Sequence, residues 1–200
     1  MYILEKASIL FMRNGVRSVT MDDLAKDLSM SKKTFYKYFK NKNELVVKIL
    51  EIKIEEDKQF CEECIENAEN AIDELIQMSK FISMMFHDVP SSVFYDLSKY
   101  HPEAWKLLHE HKNNYVRNQI SQNIERGKRE GLYREKLNKD IISTVYIASM
   151  DAVFDGQSFI KTKLNLGDIL IEIIRFQIRG MVNHNGLEYL KERIKKEENV

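Results

Sequence analysis

No glycine and no proline lies between Gly15 and Pro90, and the whole chain of 200 residues holds only seven Gly and two Pro. Sheet turns, hairpins and phosphate-cradling loops draw on these two residues for positive or fixed φ angles. A chain this poor in them is confined to an all-α fold, its helices separated by capping side chains. Charged residues make up 31% and hydrophobic ones 44%, enough of each to specify a folded globule rather than a disordered segment. Two Cys cannot build a disulfide scaffold. Acid and base interrupt the opening MYILEKASILFMRNGVR too early for a signal-peptide core, and no run nears the roughly 18 apolar residues of a membrane span. A soluble, cytoplasmic protein is expected.

Apolar spacing locates the helices. Ile3, Ala7, Leu10 and Phe11 form one face of a helix over Tyr2–Asn14, which Gly15 ends in the left-handed C′ position. Thr20 with Asp23 forms a capping box for a short helix that turns Leu24, Ala25 and Leu28 inward. After the break Ser29-Met30-Ser31, Ser31 caps a second short helix, Lys32–Tyr38, with Phe35 and Phe39 inward. Asn41 and Glu44 cap a long helix that runs from Lys42 into the 60s. Helices are then predicted over Ala71–Phe86, Ser92–Tyr100, Pro102 to about Lys128 with Gly131 as the stop, Asn138–Asp155 and Leu166–Val182. Lys191–Val200 reads as a charged, fraying tail.

Two short helices joined by so tight a break must cross steeply, and Ala25 permits the close approach. This is helix-turn-helix geometry, in which the second helix can enter a DNA major groove. Lys32, Lys33, Lys37, Lys40 and Lys42 offer charge to phosphates; Thr34, Tyr36 and Tyr38 offer hydroxyls and flat rings. Residues 1–50 hold ten Lys and Arg against five Asp and Glu, whereas residues 51–200 hold 21 against 26. The formal net charge of zero therefore conceals a basic end and an acidic body, a polarity that orients docking on DNA.

The run from Thr20 to Leu45, with Phe11 and Gly15 before it, resembles the DNA-binding signature of TetR-type transcriptional regulators. The resemblance covers about the first quarter of the chain. It implies a three-helix DNA-binding domain over residues 1–46 and a helical ligand-sensing and dimerising domain over 47–200. It places Thr20, Thr34, Tyr36, Tyr38 and Lys42 at the DNA backbone, and Lys32, Lys33 and Lys37 within reach of base edges. Ser29 stands where the family usually has Gly, so a strained or reshaped turn is expected. The chain begins almost at the first helix, so no basic arm for the minor groove is expected.

The implied activity is that of a regulator, in most relatives a repressor, released from a palindromic operator by a small apolar or aromatic effector. A homodimer would set two reading helices one DNA turn apart. Its interface is expected on the last two predicted helices, from the faces Ile141, Ile142, Val145, Ala148, Ala152 and Gly156, and Ile169, Leu170, Ile173, Ile174, Gln177 and Met181. Met78, Phe81, Ile82, Met85, Phe94, Tyr95, Trp105, Tyr115, Tyr146 and Met150 are candidates to line an effector cavity, because Met adapts to irregular ligands and aromatic residues can orient them.

Weaker signals carry less. Cys61-Glu62-Glu63-Cys64 lies inside an acidic helix with no second pair, so a structural role is expected rather than zinc or redox chemistry. His109 and His111 are two apart and face different sides of a helix, so no shared metal is expected, and no cofactor. No catalytic constellation emerges, so an enzyme is not expected. Two rival readings stay open: a same-fold DNA- or protein-binding adaptor with no small ligand, and a thiol-based switch on Cys61 and Cys64.

Overall fold

The structure, a computed structural model, describes residues 2–155 and 164–198, with side chains to residue 195. Its helices are α1 (Tyr2–Asn14), α2 (Met21–Asp27), α3 (Lys32–Tyr38), α4 (Lys42–Asn67), α5 (Ala71–Phe86), α6 (Ser92–Tyr100), α7 (Pro102–Glu110), α8 (Arg117–Arg129), α9 (Lys139–Phe154), α10 (Leu166–Met181) and α11 (His184–Glu198). No strand occurs among the described residues, which carry one isolated bridge between Tyr133 and Val182.

Local chemistry explains the breaks. The side chains of Thr20, Ser31, Asn41, Asn70, Asn138 and Asn165 each accept a backbone N–H of the helix they precede. These caps do the work that Gly and Pro do in other folds. Where α2 ends, the Met30 N–H donates to the Ala25 carbonyl (2.8 Å) and the Ser29 N–H to that of Lys26 (3.0 Å), a Schellman turn. Ser29 sits at φ 54°, the left-handed region that favours Gly, so the expected strain at this position is present.

Two differences from the sequence reading stand out. The long helix after Pro102 is interrupted by a π-helical stretch over His111–Val116, where two consecutive weak helix formers, Asn113 and Asn114, lie. The segment read as a fraying tail is helical over residues 191–198. Leu187, Leu190 and Ile194 give α11 an apolar stripe that its charge density disguised, and Leu190 is buried. Arg193 reaches the buried Asp73 carboxylate of α5 (2.9 Å).

Buried apolar residues form two clusters. The first gathers Ala7 and Phe11 of α1, Leu24 and Ala25 of α2, Phe35 of α3, and Leu45 and Val46 of α4, together with Val93, Leu97 and Ala104 from α6 and α7. The second joins α5, α8, α9, α10 and α11, including Ile72, Ile124, Tyr133, Ile147, Val153 and Leu170. There α10 crosses α5 closely at Gly167, where a Cβ would overlap the Ser83 carbonyl oxygen. Arg126 of α8 ties the α4–α5 corner, donating to Glu74 (2.9 Å), Glu130 (2.8 Å) and the Ala68 carbonyl (2.9 Å).

Candidate nucleic-acid interface and internal cavity

α3 buries Phe35 against the first cluster and exposes almost everything else. Lys32, Lys33, Thr34, Tyr36, Lys37 and Tyr38 are all exposed, so the helix presents three ammonium groups, two phenol rings and a hydroxyl to solvent on one small element. Lys32 is paired with Asp22 of α2 (2.6 Å), and Asp22 was not among the residues singled out in the sequence. The Thr34 hydroxyl lies 2.8 Å from that of Ser31. Thr20 is exposed too, its hydroxyl donating to the Asp23 carboxylate (2.6 Å) while accepting the Asp23 N–H (3.1 Å). These hydrogen bonds from Thr20 hold the Asp23 carboxyl below its ordinary pKa.

Lys42 is placed differently. Its ammonium turns inward, donating to the Arg17 carbonyl (3.2 Å) and sitting 5.6 Å from the Phe11 ring centre. Burial lowers its pKa. It therefore braces the α1–α2 loop against the start of α4.

α6 and α7 reach back to this reading head. The Asp96 carboxylate accepts the Arg17 N–H (2.8 Å), the Arg17 guanidinium lies 5.0 Å from the Tyr100 ring centre, and His101 Nδ1 lies 2.6 Å from Asn43 Oδ1. Burial, and then the Lys42 charge, lower the His101 pKa.

Behind α6 lies a cavity of about 710 Å³. Its wall draws on α1 (Ile9, Met12), α4 (Leu50, Ile54, Asp57, Cys61), α5 (Leu75, Met78, Ile82, Met85), α6 (Val93, Phe94, Leu97), the π stretch (His111, Lys112, Tyr115, Val116), α8 (Gln119, Ile120, Asn123) and α9 (Tyr146, Met150, Phe154). Phe94 stacks on Phe154 with ring centres 4.4 Å apart, and Phe86 packs against both. Of the residues proposed from sequence, Met78, Ile82, Met85, Phe94, Tyr115, Tyr146 and Met150 line this cavity. Phe81 instead stacks on Phe60, with ring centres 3.7 Å apart. Tyr95 is exposed and accepts from Lys99, while Trp105 packs edge-on to His109 between the two clusters. Ile9, Met12, Asp57, His111 and Gln119 went unmarked as lining residues, because only the folded chain brings α1, α4, the π stretch and α8 together.

The polar groups of the wall are concentrated at α4 and the π stretch. His111 Nε2 lies 2.8 Å from Asp57 Oδ2, and the His111 ring stacks on Tyr115. Burial pushes the Tyr115 hydroxyl up to about 12. Burial also raises the Cys61 thiol far above its ordinary value and that of Cys64 to about 11, which disfavours the thiolate at both. The histidines do not converge, since His101 meets Asn43, His109 meets Trp105 and His111 meets Asp57. No group of three or more His, Cys, Asp or Glu able to hold a metal occurs among the described residues. None of the described helices is long and apolar enough to cross a membrane.

On α9 and α10, Ile169, Ile174 and Met181 of the expected interface set are buried in the chain's own second cluster, along with Leu170. Their spacing fits the intrachain face of α10 as well as an outer one, which is why sequence periodicity merged the two. Val145 is exposed, and Ala152, Ile173 and Gln177 are half-buried. Two large exposed apolar residues accompany them, Ile141 and Phe176, the latter 78% exposed. Gly156 lies outside the described residues.

Comparison with known proteins agrees with this geometry. Residues 3–49 match the family described as bacterial regulatory proteins, tetR family. The chain is 27% identical over 168 residues to the uncharacterized HTH-type transcriptional regulator YvaF of Bacillus subtilis (strain 168), covering 82% of this chain and 86% of that protein. Its fold is similar to that of a putative transcriptional regulator from Saccharomonospora viridis solved in complex with choline, with TM-score 0.71, 18% identity, and 91% and 96% of the two chains covered. It is also similar to AibR solved in complex with isovaleryl coenzyme A and operator DNA, with TM-score 0.59, 15% identity, and 86% and 94% covered. Residues 3–49 thus match the tetR family of bacterial regulatory proteins, and the chain is similar along most of its length to an HTH-type transcriptional regulator and in its all-α fold to solved regulators.

Proposed function

We propose that this regulator is a homodimeric, effector-responsive repressor that acts in the cytoplasm, with residues 1–46 as the reading head and 47–200 as the sensing and dimerising body. The observation that carries the reading is the shared role of α6. Val93, Phe94 and Leu97 form cavity wall, while Asp96 on the same helix holds the Arg17 N–H of the head (2.8 Å). A molecule filling the cavity presses on α6, and on α1 through Ile9 and Met12, so it biases where the head stands. A ligand that binds the displaced arrangement better shifts the population toward it.

DNA contact falls to Thr20, Thr34, Tyr36 and Tyr38 at the backbone and to Lys32, Lys33 and Lys37 near base edges, with Lys42 acting by bracing the loop. Two heads must sit about 34–36 Å apart to read a palindrome, so a small rotation of each releases both. The exposed stripe of Ile141 and Val145 on α9 and Phe176 on α10, with Ala152, Ile173 and Gln177 beside it, is the surface for the second copy. The solved relatives with bound choline, and with isovaleryl coenzyme A and operator DNA, support the class of mechanism but not the identity of this effector.

Footprinting of DNA upstream of the protein's own gene tests this reading. A protected, two-fold symmetric site is expected; no sequence-preferring protection at low salt would refute it. Light scattering should give twice the 23.7 kDa chain mass, and Phe176→Glu should lower it toward one. A wild-type protein of single-chain mass at micromolar concentration would refute the dimer.

A further inference from the structure

We propose that the effector of this cavity is an uncharged apolar alcohol, held by its hydroxyl between His111 and Gln119; the assignment rests on the effector reading above and narrows it. The wall is apolar for most of its extent, so the body of the ligand is apolar. Its charged groups are largely matched by protein. Glu74 is paired with Arg126 (2.9 Å), and Lys112 with Asp151. Two atoms are left over. His111 Nδ1 and Gln119 Oε1 are buried and have no hydrogen-bond partner, and both residues line the cavity. The His111 side chain is only 8% exposed. Buried polar atoms are almost always satisfied, so an orphaned pair on one cavity wall marks where a ligand supplies what the protein does not.

The chemistry of the pair selects the head group. Gln119 Oε1 can only accept, so the ligand must donate to it. His111 Nε2 is taken by the Asp57 carboxylate (2.8 Å), which leaves Nδ1 as the open position. Nδ1 accepts when the imidazole is neutral and donates when it is an imidazolium. A hydroxyl donates its one proton to Gln119 Oε1 and accepts from Nδ1, so it completes both atoms when the imidazole facing Asp57 carries both ring protons. A carboxylate has nothing to give Gln119 and brings its charge toward Asp57. An ammonium has no lone pair for an imidazolium and must be desolvated in an apolar wall. The cavity volume of about 710 Å³ leaves ample space for a ten-carbon chain or a fused-ring body behind the hydroxyl.

The test is calorimetric titration of the full-length protein with three probes of equal chain length: 1-decanol, decanoate and decylammonium. The alcohol is expected to bind at least about tenfold more tightly than either ion, the worth of one well-made buried hydrogen bond. Gln119→Met, which keeps length and removes the acceptor, should cut the affinity for 1-decanol about tenfold and change that for decanoate little. Should that variant fail to fold, the ranking on the wild-type protein stands as the test. An ion that binds as tightly as the alcohol overturns the alcohol assignment and leaves an effector cavity in place. If none of the three binds, the assignment and the effector reading both fall. A preference for 1-decanol that survives both Gln119→Met and His111→Phe also overturns the assignment, because the hydroxyl is then held elsewhere.

Discussion

The reading head and the body of this molecule are built on opposite plans. The head is three short helices locked by caps around a small, full core, and it wears its charge outside. The body is long helices around a space left unfilled, and its few chemically distinctive groups point inward. A rigid exterior suits recognition, because base and phosphate contacts need fixed positions. A wall of Met and aromatic residues around a void suits response, because filling it changes the packing of every helix that lines it. α6 belongs to both, which lets a change in the second region reach the first.

Several substitutions can break or sharpen this contrast. Phe35 is fully buried at the centre of the head, and Phe35→Ala should cost about 3–5 kcal/mol. The head should then lose protection in hydrogen exchange while α5, α8 and α10 keep theirs. Simultaneous loss in both regions would show that they are not separable. Gly167→Ala is the counterpart in the body. It forces α10 away from the Ser83 carbonyl and should lower stability by about 1–3 kcal/mol, read as a lower denaturant midpoint. Met78→Trp, which fills part of the cavity, should weaken cavity ligands by about tenfold or more, near 1.4 kcal/mol, and should lower DNA affinity in the absence of any ligand. DNA binding left unchanged would mean that filling the cavity does not reach the head.

Ser29→Gly relieves a left-handed φ of 54° and should stabilise the head by about 1 kcal/mol, visible in the denaturant midpoint. The smallest effect near neutrality concerns His101. Burial and Lys42 depress its pKa, so the folded chain holds it neutral against Asn43. Its contribution is complete above the unfolded value of about 6.5 and is lost as pH falls below that value. Stability of the wild type should therefore decline on acidification below about 6.5, and His101→Gln should flatten that part of the profile.

How far each region could be read from sequence follows from the same contrast. The head is local: Thr20 and Asp23, Ser31 and Thr34, and Asn41 and Glu44 each cap within a few residues, so its helices and the exposed face of α3 were legible. Even there, the inward turn of Lys42 was not, because it depends on Phe11 of α1 and Arg17 of the loop that follows it. The body is long-range. Met and aromatic spacing pointed to a cavity, yet nothing in the sequence marked Asp57 or joined it to His111, because α4 and the π stretch meet only in the folded chain. The apolar stripe of α11 was masked by its Lys and Glu, and Phe176 was missed because the inner and outer faces of α10 are both apolar.

The central claim is that α3 reads DNA sequence through its exposed basic face. Its most direct test is fluorescence-anisotropy titration of the footprinted upstream duplex and a scrambled duplex, at matched salt, with wild-type protein and the Lys33→Ala/Lys37→Ala variant. The wild type should prefer its own duplex by at least about 1000-fold, and the variant should lose at least about tenfold of that preference while keeping its fold. Equal affinity of the wild type for both duplexes, or an unchanged preference in the variant, would contradict the account.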